Sequence, residues 1–225
     1  MKFLQLLLGL VALGSVTSAA YAQAQSSRID MAILPKAQTQ GTIEPVAVFN
    51  GAMPTGVTVS QSGRIFVNFP RWGDSVEYTV AEVRNGQTVA YPNSEINRPN
   101  PSDLSKAFVS VQSVVVDPRD RLWVLDTGSI NFSPVQTGGA KLIGIDLKQN
   151  QVVKTIVFSP DVVLPTTYLN DVRFDLRRGK AGMAFITDSS DKGANGIIVV
   201  DLDSGKSWRR LNDHPSTKAV PNFLP

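Results

Sequence analysis

The sequence predicts an all-β fold, a β-propeller of four-stranded antiparallel blades, on three observations. A strand-turn-strand pattern recurs as Gly56-Val-Thr-Val-Ser with Gly63-Arg-Ile-Phe-Val, as Ser113-Val-Val-Val-Asp with Arg121-Leu-Trp-Val, and as Asp171-Val-Arg-Phe-Asp with Gly182-Met-Ala-Phe-Ile. The copies keep register: Ser60, Asp117 and Asp175 stand 57 and 58 residues apart, and Phe66, Trp123 and Phe185 stand 57 and 62 apart, the longer step being a turn insertion at 176–181. No helical period separates the copies. A repeat of this size, built only from strand patterns, is how propeller blades present themselves in sequence.

Taken in order, the chain opens with Lys2, an apolar run at 3–16 and Ala20-Tyr21-Ala22, the charged, apolar and small-residue parts of a secretory signal. Gln5, Gly9 and Gly14 interrupt the run, which falls short of the roughly 20 apolar residues a spanning helix needs. Residues 1–22 therefore read as a signal peptide, with a secreted or periplasmic destination and no membrane association after its removal. Residues 23–42, polar and broken by Pro35, read as a linker or extended arm. A partial propeller follows over 43–225, with blades at about 43–100, 101–160 and 161–225.

Each blade offers two hairpins. In the second, strands at 111–116 and 121–125 flank Asp117-Pro-Arg-Asp120, and strands at 141–147 and 152–158 flank Lys148-Gln-Asn-Gln151. The third has strands at 172–174, 184–187, 196–202 and 207–211. In the first, strands at 76–83 and 88–91 enclose Asn85-Gly86, a strong hairpin signal. Three blades fall short of the four to eight with which propellers close, so the remaining blades are expected from a longer chain or a second copy.

Composition narrows the chemistry. The 225 residues are 42% hydrophobic, enough for a packed core, and contain no cysteine, which excludes thiol chemistry and cysteine-held zinc. There are 22 basic and 19 acidic residues, and Lys2 leaves with the signal; no basic stripe supports nucleic-acid binding. His214 is the single histidine and sits in a loop pattern, so neither a multi-histidine metal site nor a serine triad is expected.

If the first strand of each blade is innermost, Thr55, Gln112 and Asn170 begin the inner strands and Phe69, Asp126 and Asp188 end their partners, all around one mouth of the channel. Loops converging on such a mouth are where propellers hold ligands. The expected ligand-binding set is Asn170, Asp171, Asp126, Asp188, Gln112, Trp72 and Tyr168, with Phe69 in an aromatic wall beside Trp72 and Tyr168. Asn170 and Asp171 also offer oxygens to a hard cation such as calcium. The competing role for every Asn and Asp here is capping of its own strand end. Asn131-Phe-Ser133 matches a glycosylation sequon.

Several segments in order resemble the yellow and major royal jelly protein family: Pro54-Thr-Gly-Val-Thr-Val-Ser60 with Gly63-Arg-Ile-Phe-Val-Asn-Phe-Pro-Arg-Trp72, Arg121-Leu-Trp-Val-Leu-Asp-Thr-Gly128, Tyr168-Leu-Asn-Asp-Val172, Ala184-Phe-Ile-Thr-Asp-Ser189 and Ser207-Trp-Arg-Arg-Leu211 with His214-Pro-Ser216. The match, over roughly 43–225, is similar to the N-terminal half of a bacterial member. The resemblance implies a secreted six-bladed propeller, a small aromatic or amine ligand at the channel mouth and, in one branch, conversion of dopachrome. Asn170-Asp171 also resembles the Asn-Asp-Gly of the calcium-dependent gluconolactonase and senescence-marker propellers, though Val172 replaces the glycine and that family's opening Glu-Gly-Pro has no counterpart. The alternatives are thus a metal-dependent lactonase or a dopachrome-converting isomerase.

Overall fold

The computed structural model describes residues 41–220, so the expected signal peptide, nearly all of the expected arm and residues 221–225 lie outside the described residues. Among the described residues, twelve strands form three sheets. The first sheet holds β1 Gly56–Val59, β2 Ile65–Asn68, β3 Val80–Arg84 and β4 Gln87–Ala90. In the second are β5 Val111–Val116, β6 Arg121–Thr127, β7 Ala140–Asp146 and β8 Gln151–Val157. The third comprises β9 Leu169–Asp175, β10 Met183–Asp188, β11 Gly196–Asp201 and β12 Ser207–Arg210. Each sheet is a simple antiparallel meander in chain order. Strand β1 lies beside β5, and β5 beside β9, so the first strand of every sheet is the inner one. This is the β-propeller arrangement that the repeat predicts.

Register confirms the columns residue by residue. Thr58 pairs with Phe66, Val115 with Trp123, and Arg173 with Phe185. The inner turns are built alike: Ser60 Oγ accepts Arg64 N, Asp117 Oδ1 accepts Arg119 N and Arg121 N, and Asp175 Oδ1 accepts Arg177 N. Gly63 and Asp120 share a column and both adopt a left-handed backbone, with φ of 82° and 57°, the conformation that closes these turns. Asn85 and Gly86, with φ of 49° and 74°, close the β3–β4 hairpin as the sequence predicts.

Two strands differ from expectation. The strand expected from 76 starts at Val80, because the Asn97 side-chain carbonyl takes the N–H groups of Thr79 and Val80 and substitutes for a strand partner. The strand expected from 172 starts at Leu169, because the register slips between the Ile186 and Asp188 pairings and the chain bulges at Asn170 and Asp171. A matching bulge falls at Gln112.

Packing is between blades. Phe66 and Val80 meet Val114, Leu122, Val124, Ile143 and Ile145 in one core. Trp123, Leu125, Leu142 and Ile156 meet Val172, Ala184, Ile186, Ile198 and Val200 in the other. Sheets held face to face in this way fix the ends of the inner strands as a rigid rim.

Candidate functional site at the channel mouth

The bulges turn polar side chains into the channel. Thr55 Oγ1 donates to the Gln112 carbonyl at 3.1 Å, Gln112 Nε2 donates to Asn170 Oδ1 at 3.2 Å, and the Tyr168 hydroxyl donates to Gln112 Oε1 at 2.8 Å. One hydrogen-bonded chain thus spans all three inner strands. Deeper in, Asp171 Oδ1 accepts from Ser113 Oγ at 3.1 Å, its neighbour Val172 N at 3.0 Å and Arg173 Nη1 at 2.7 Å. Thr55, Gln112, Ser113, Asn170, Asp171 and Arg173 line a polar cavity of about 440 Å³. Burial pushes the Tyr168 phenol up to about 12, so it stays a neutral donor across physiological pH.

Beside this cavity runs a row of three aromatic rings. Trp72 stacks on Phe132 with centroids 5.7 Å apart, and Phe132 lies against Tyr168 at 5.2 Å. Offset stacking at such separations is the favoured geometry for aromatic pairs. Phe132 is carried by the β6–β7 loop, where Asn131 and Phe132 both take left-handed φ values, 52° and 56°. Asn131 N donates to the Arg71 carbonyl at 2.8 Å, tying that loop to the first blade. A second cavity of about 420 Å³ opens against Phe132 and Tyr168, with Ser129, Pro134, Pro165 and Lys192 among its walls.

Of the expected site residues, the structure brings Gln112, Asn170, Asp171 and Tyr168 together, and Trp72 joins them through Phe132. Asp126 and Asp188 are placed differently. Asp126 accepts Val109 N, Ser110 N, Gly128 N and Lys141 Nζ, with the ammonium at 2.8 Å and both charged side chains buried. Asp188 accepts Thr167 Oγ1, Tyr168 N, Ser190 N and Arg209 Nη2 in the same pattern. Each carboxylate receives four donors, as a buried anion requires. Neither lines the channel cavity. Phe69, expected in the aromatic wall, instead packs edge-on against Phe49 and Tyr78 in the core.

Sequence reasoning passed over Phe132, Ser113 and Arg173. Ser113 and Arg173 were within reach of it, since they follow Gln112 and Asp171 in the same strands. Phe132 carries only a weak signal, an aromatic residue inside a polar loop.

A calcium ion needs six to eight oxygens, carboxylates prominent among them. Among the described residues no three His, Cys, Asp or Glu side chains converge as metal ligands, and Asp171 already faces the Arg173 guanidinium. These residues do not by themselves fit calcium.

A family model described as major royal jelly protein matches residues 109–224, more than half of the chain. The chain is 29% identical over 192 residues to the yellow-related salivary protein M10 of Phlebotomus duboscqi, covering 77% of this chain and 45% of that protein. It is 27% identical over 169 residues to the dopaminechrome tautomerase of Drosophila melanogaster, covering 71% and 36% respectively. The chain thus spans less than half the length of these relatives. Among solved structures, Kuenenia stuttgartiensis hydrazine synthase superposes with a TM-score of 0.42 at 14% identity, over 69% of this chain and 41% of that one.

Proposed function

The chain belongs to the major royal jelly protein family, and on that premise we propose that its channel mouth binds a small aromatic ligand bearing an amine or a hydroxyl. The observation that carries this is the adjacency of the Trp72, Phe132 and Tyr168 row to the polar Gln112, Asn170 and Asp171 set. A flat ring stacks on the row while its substituents reach amide and carboxylate groups, and a cationic amine gains further from the aromatic faces. Asp171 supplies a carboxylate acceptor, for which a cationic amine competes with the Arg173 guanidinium. It is partly exposed, so its contribution is modest and falls with salt.

Export belongs to the same proposal. It is supported by the leader pattern in residues 1–22 and by the salivary naming of relatives, and among the described residues no helix is long and apolar enough to cross a membrane.

The test is a thermal-shift and tryptophan-fluorescence titration with dopamine, tyramine and tryptamine. Binding to the native state raises the melting temperature by mass action, by about 2.7 kcal/mol of stabilisation at a hundredfold excess over Kd. Phe132→Ala and Tyr168→Ala are expected to lose the shift. No shift with any of the three amines overturns the proposal. Dopaminechrome joins the panel because one relative is named for its tautomerisation. Decay accelerated by the wild type but not by Asp171→Asn would add catalysis to binding.

A further inference from the structure

We propose that Arg71 is the positioning residue of the aromatic row, acting through Trp72 and Phe132 by holding them in the stacked arrangement that a flat ring would use. This rests on the ligand site proposed above and names what builds it. Trp72 and Phe132 come from loops of different blades, and Arg71 joins those loops. It directly precedes Trp72 in the chain, and its carbonyl accepts Asn131 N at 2.8 Å, one residue before Phe132. Its own N–H donates to Ser110 Oγ at 2.9 Å. The guanidinium donates to three carbonyls: Nε to that of Val109 at 3.1 Å, Nη2 to that of Asn97 at 3.0 Å, and Nη1 to that of Val76. A guanidinium presents its donors in a planar fork that suits such a set, whereas a lysine ammonium is a single point of charge.

The partners of this cation are carbonyls and not carboxylates. Burial pushes the guanidinium below its ordinary value, and the negative charge of Asp126 opposes that shift. Asp126 in turn accepts Val109 N and Ser110 N. Val109 and Ser110 are therefore gripped from two sides, their N–H groups by the anion and their carbonyl and hydroxyl oxygens by the arginine. Asp126 is itself fixed by the buried Lys141 ammonium, so the row stands on a blade junction and not on free loops.

Arg71 has no counterpart in the repeat. Two residues past the column of Phe69, Asp126 and Asp188, the other blades carry Gly128 and Ser190. What it organises is equally particular to the first two blades, the stack of Trp72 on Phe132. Rings held in place before binding raise affinity, because ordering them on binding would subtract from it.

Hydrogen exchange read by NMR and tryptamine titration, both on the full chain, test this. Because hydrogen bonds to a charged group are lost, Arg71→Lys should speed exchange of Asn131 N–H at least about tenfold while β5 and β6 keep their wild-type rates. At a temperature where circular dichroism shows each variant folded, tryptamine affinity should fall by about tenfold in Arg71→Lys and Arg71→Ala. Added methylguanidinium should restore affinity in Arg71→Ala, and methylammonium should not. Arg119→Ala, in the exposed inner turn of the second blade, should leave both readouts unchanged. If an Arg71 variant fails to fold, Ser110→Ala removes only the hydroxyl that accepts Arg71 N and should speed the same exchange. Wild-type exchange at Asn131 in these variants overturns the proposal, as does faster exchange with unchanged tryptamine affinity. A wild type that binds no amine overturns the ligand reading instead, and exchange at Asn131 then decides the role of Arg71 alone.

Discussion

Asp126 and Asp188 sit in the same column of neighbouring blades and do the same thing, whereas Asp171 sits in a column that reads Gly56, Ser113 and Asp171 and does something found in no other blade. The first pair is buried, and each carboxylate is closed by four donors including one cation. Asp171 is about 44% exposed and holds its cation, Arg173, in the open channel. The difference teaches how to read this molecule: residues that repeat between blades hold the blades, and residues that break the repeat face the channel. The Thr55, Gln112 and Asn170 column, polar throughout but different at each step, falls on the second side of that division.

The strongest way to break the comparison is Asp126→Ala. It leaves the Lys141 ammonium, 1% exposed, without a counter-charge and three N–H groups without an acceptor. Removing one partner of a buried pair costs about 3–5 kcal/mol, which urea denaturation would read directly. Asp188→Ala should cost less, because Arg209 keeps the Val162 and Ala194 carbonyls and the Thr167 hydroxyl. If Asp126→Ala costs under about 1 kcal/mol, that carboxylate does not hold its blade and the division fails.

Gly56→Ala tests the same column at its other end. A Cβ there would stand 2.4 Å from Asn68 Oδ1, a buried oxygen with no hydrogen-bond partner. Asn68 would have to swing away from Thr55 Oγ1 and the Val111 carbonyl, which its Nδ2 holds at 2.7 and 2.9 Å. Overpacking and a lost buried hydrogen bond together predict about 1–3 kcal/mol of destabilisation, with Thr55 released from its fixed place at the rim. The equivalent strands, which carry Ser113 and Asp171 at this position, are bulged there, whereas β1 pairs with β2 without a register shift.

This division also explains what was legible in the sequence. The columns of Ser60, Asp117 and Asp175 and of Phe66, Trp123 and Phe185 follow from spacing alone, since a repeated backbone imposes the same turn and the same core contact each time. Rim residues Gln112, Asn170 and Asp171 could be located from the same spacing. Whether a polar residue at the rim faces the channel or the fold was not legible, because it depends on where the chain turns next: Asp126 finds Gly128 N and Lys141 behind it, contacts set by the β6–β7 connection and not by the period. Phe132 was missed for the same reason. Its position between Trp72 and Tyr168 rests on two consecutive left-handed residues and a bond from Asn131 to Arg71, none of which has a periodic signature.

Tyr168 belongs to both sides of the comparison, and its variants give the smallest and sharpest effect. Its backbone N–H goes to Asp188 Oδ1 at 3.0 Å, on the structural side, while its hydroxyl goes to Gln112 Oε1 at 2.8 Å, at the rim. Tyr168→Phe keeps the backbone bond and the ring against Phe132 and removes only the hydroxyl, so stability should fall by about 1 kcal/mol or less. The pH dependence separates the two roles further. Because burial raises the phenol to about 12, the folded state favours its neutral form; that stabilisation is complete below the ordinary tyrosine value near 10 and is lost as pH rises from there through about 12. An absorbance titration of phenolate should therefore show a late-ionising component, beside that of Tyr91, whose phenol burial also raises, that is missing in Tyr168→Phe, and the variant should lose less stability than the wild type over that alkaline window. If Tyr168 ionises with the exposed tyrosines, the rim is more open than the Gln112 bond implies. Amine binding would then be expected to tolerate Tyr168→Phe and fail only with Tyr168→Ala, leaving the ring and not the hydroxyl as what this residue offers a ligand.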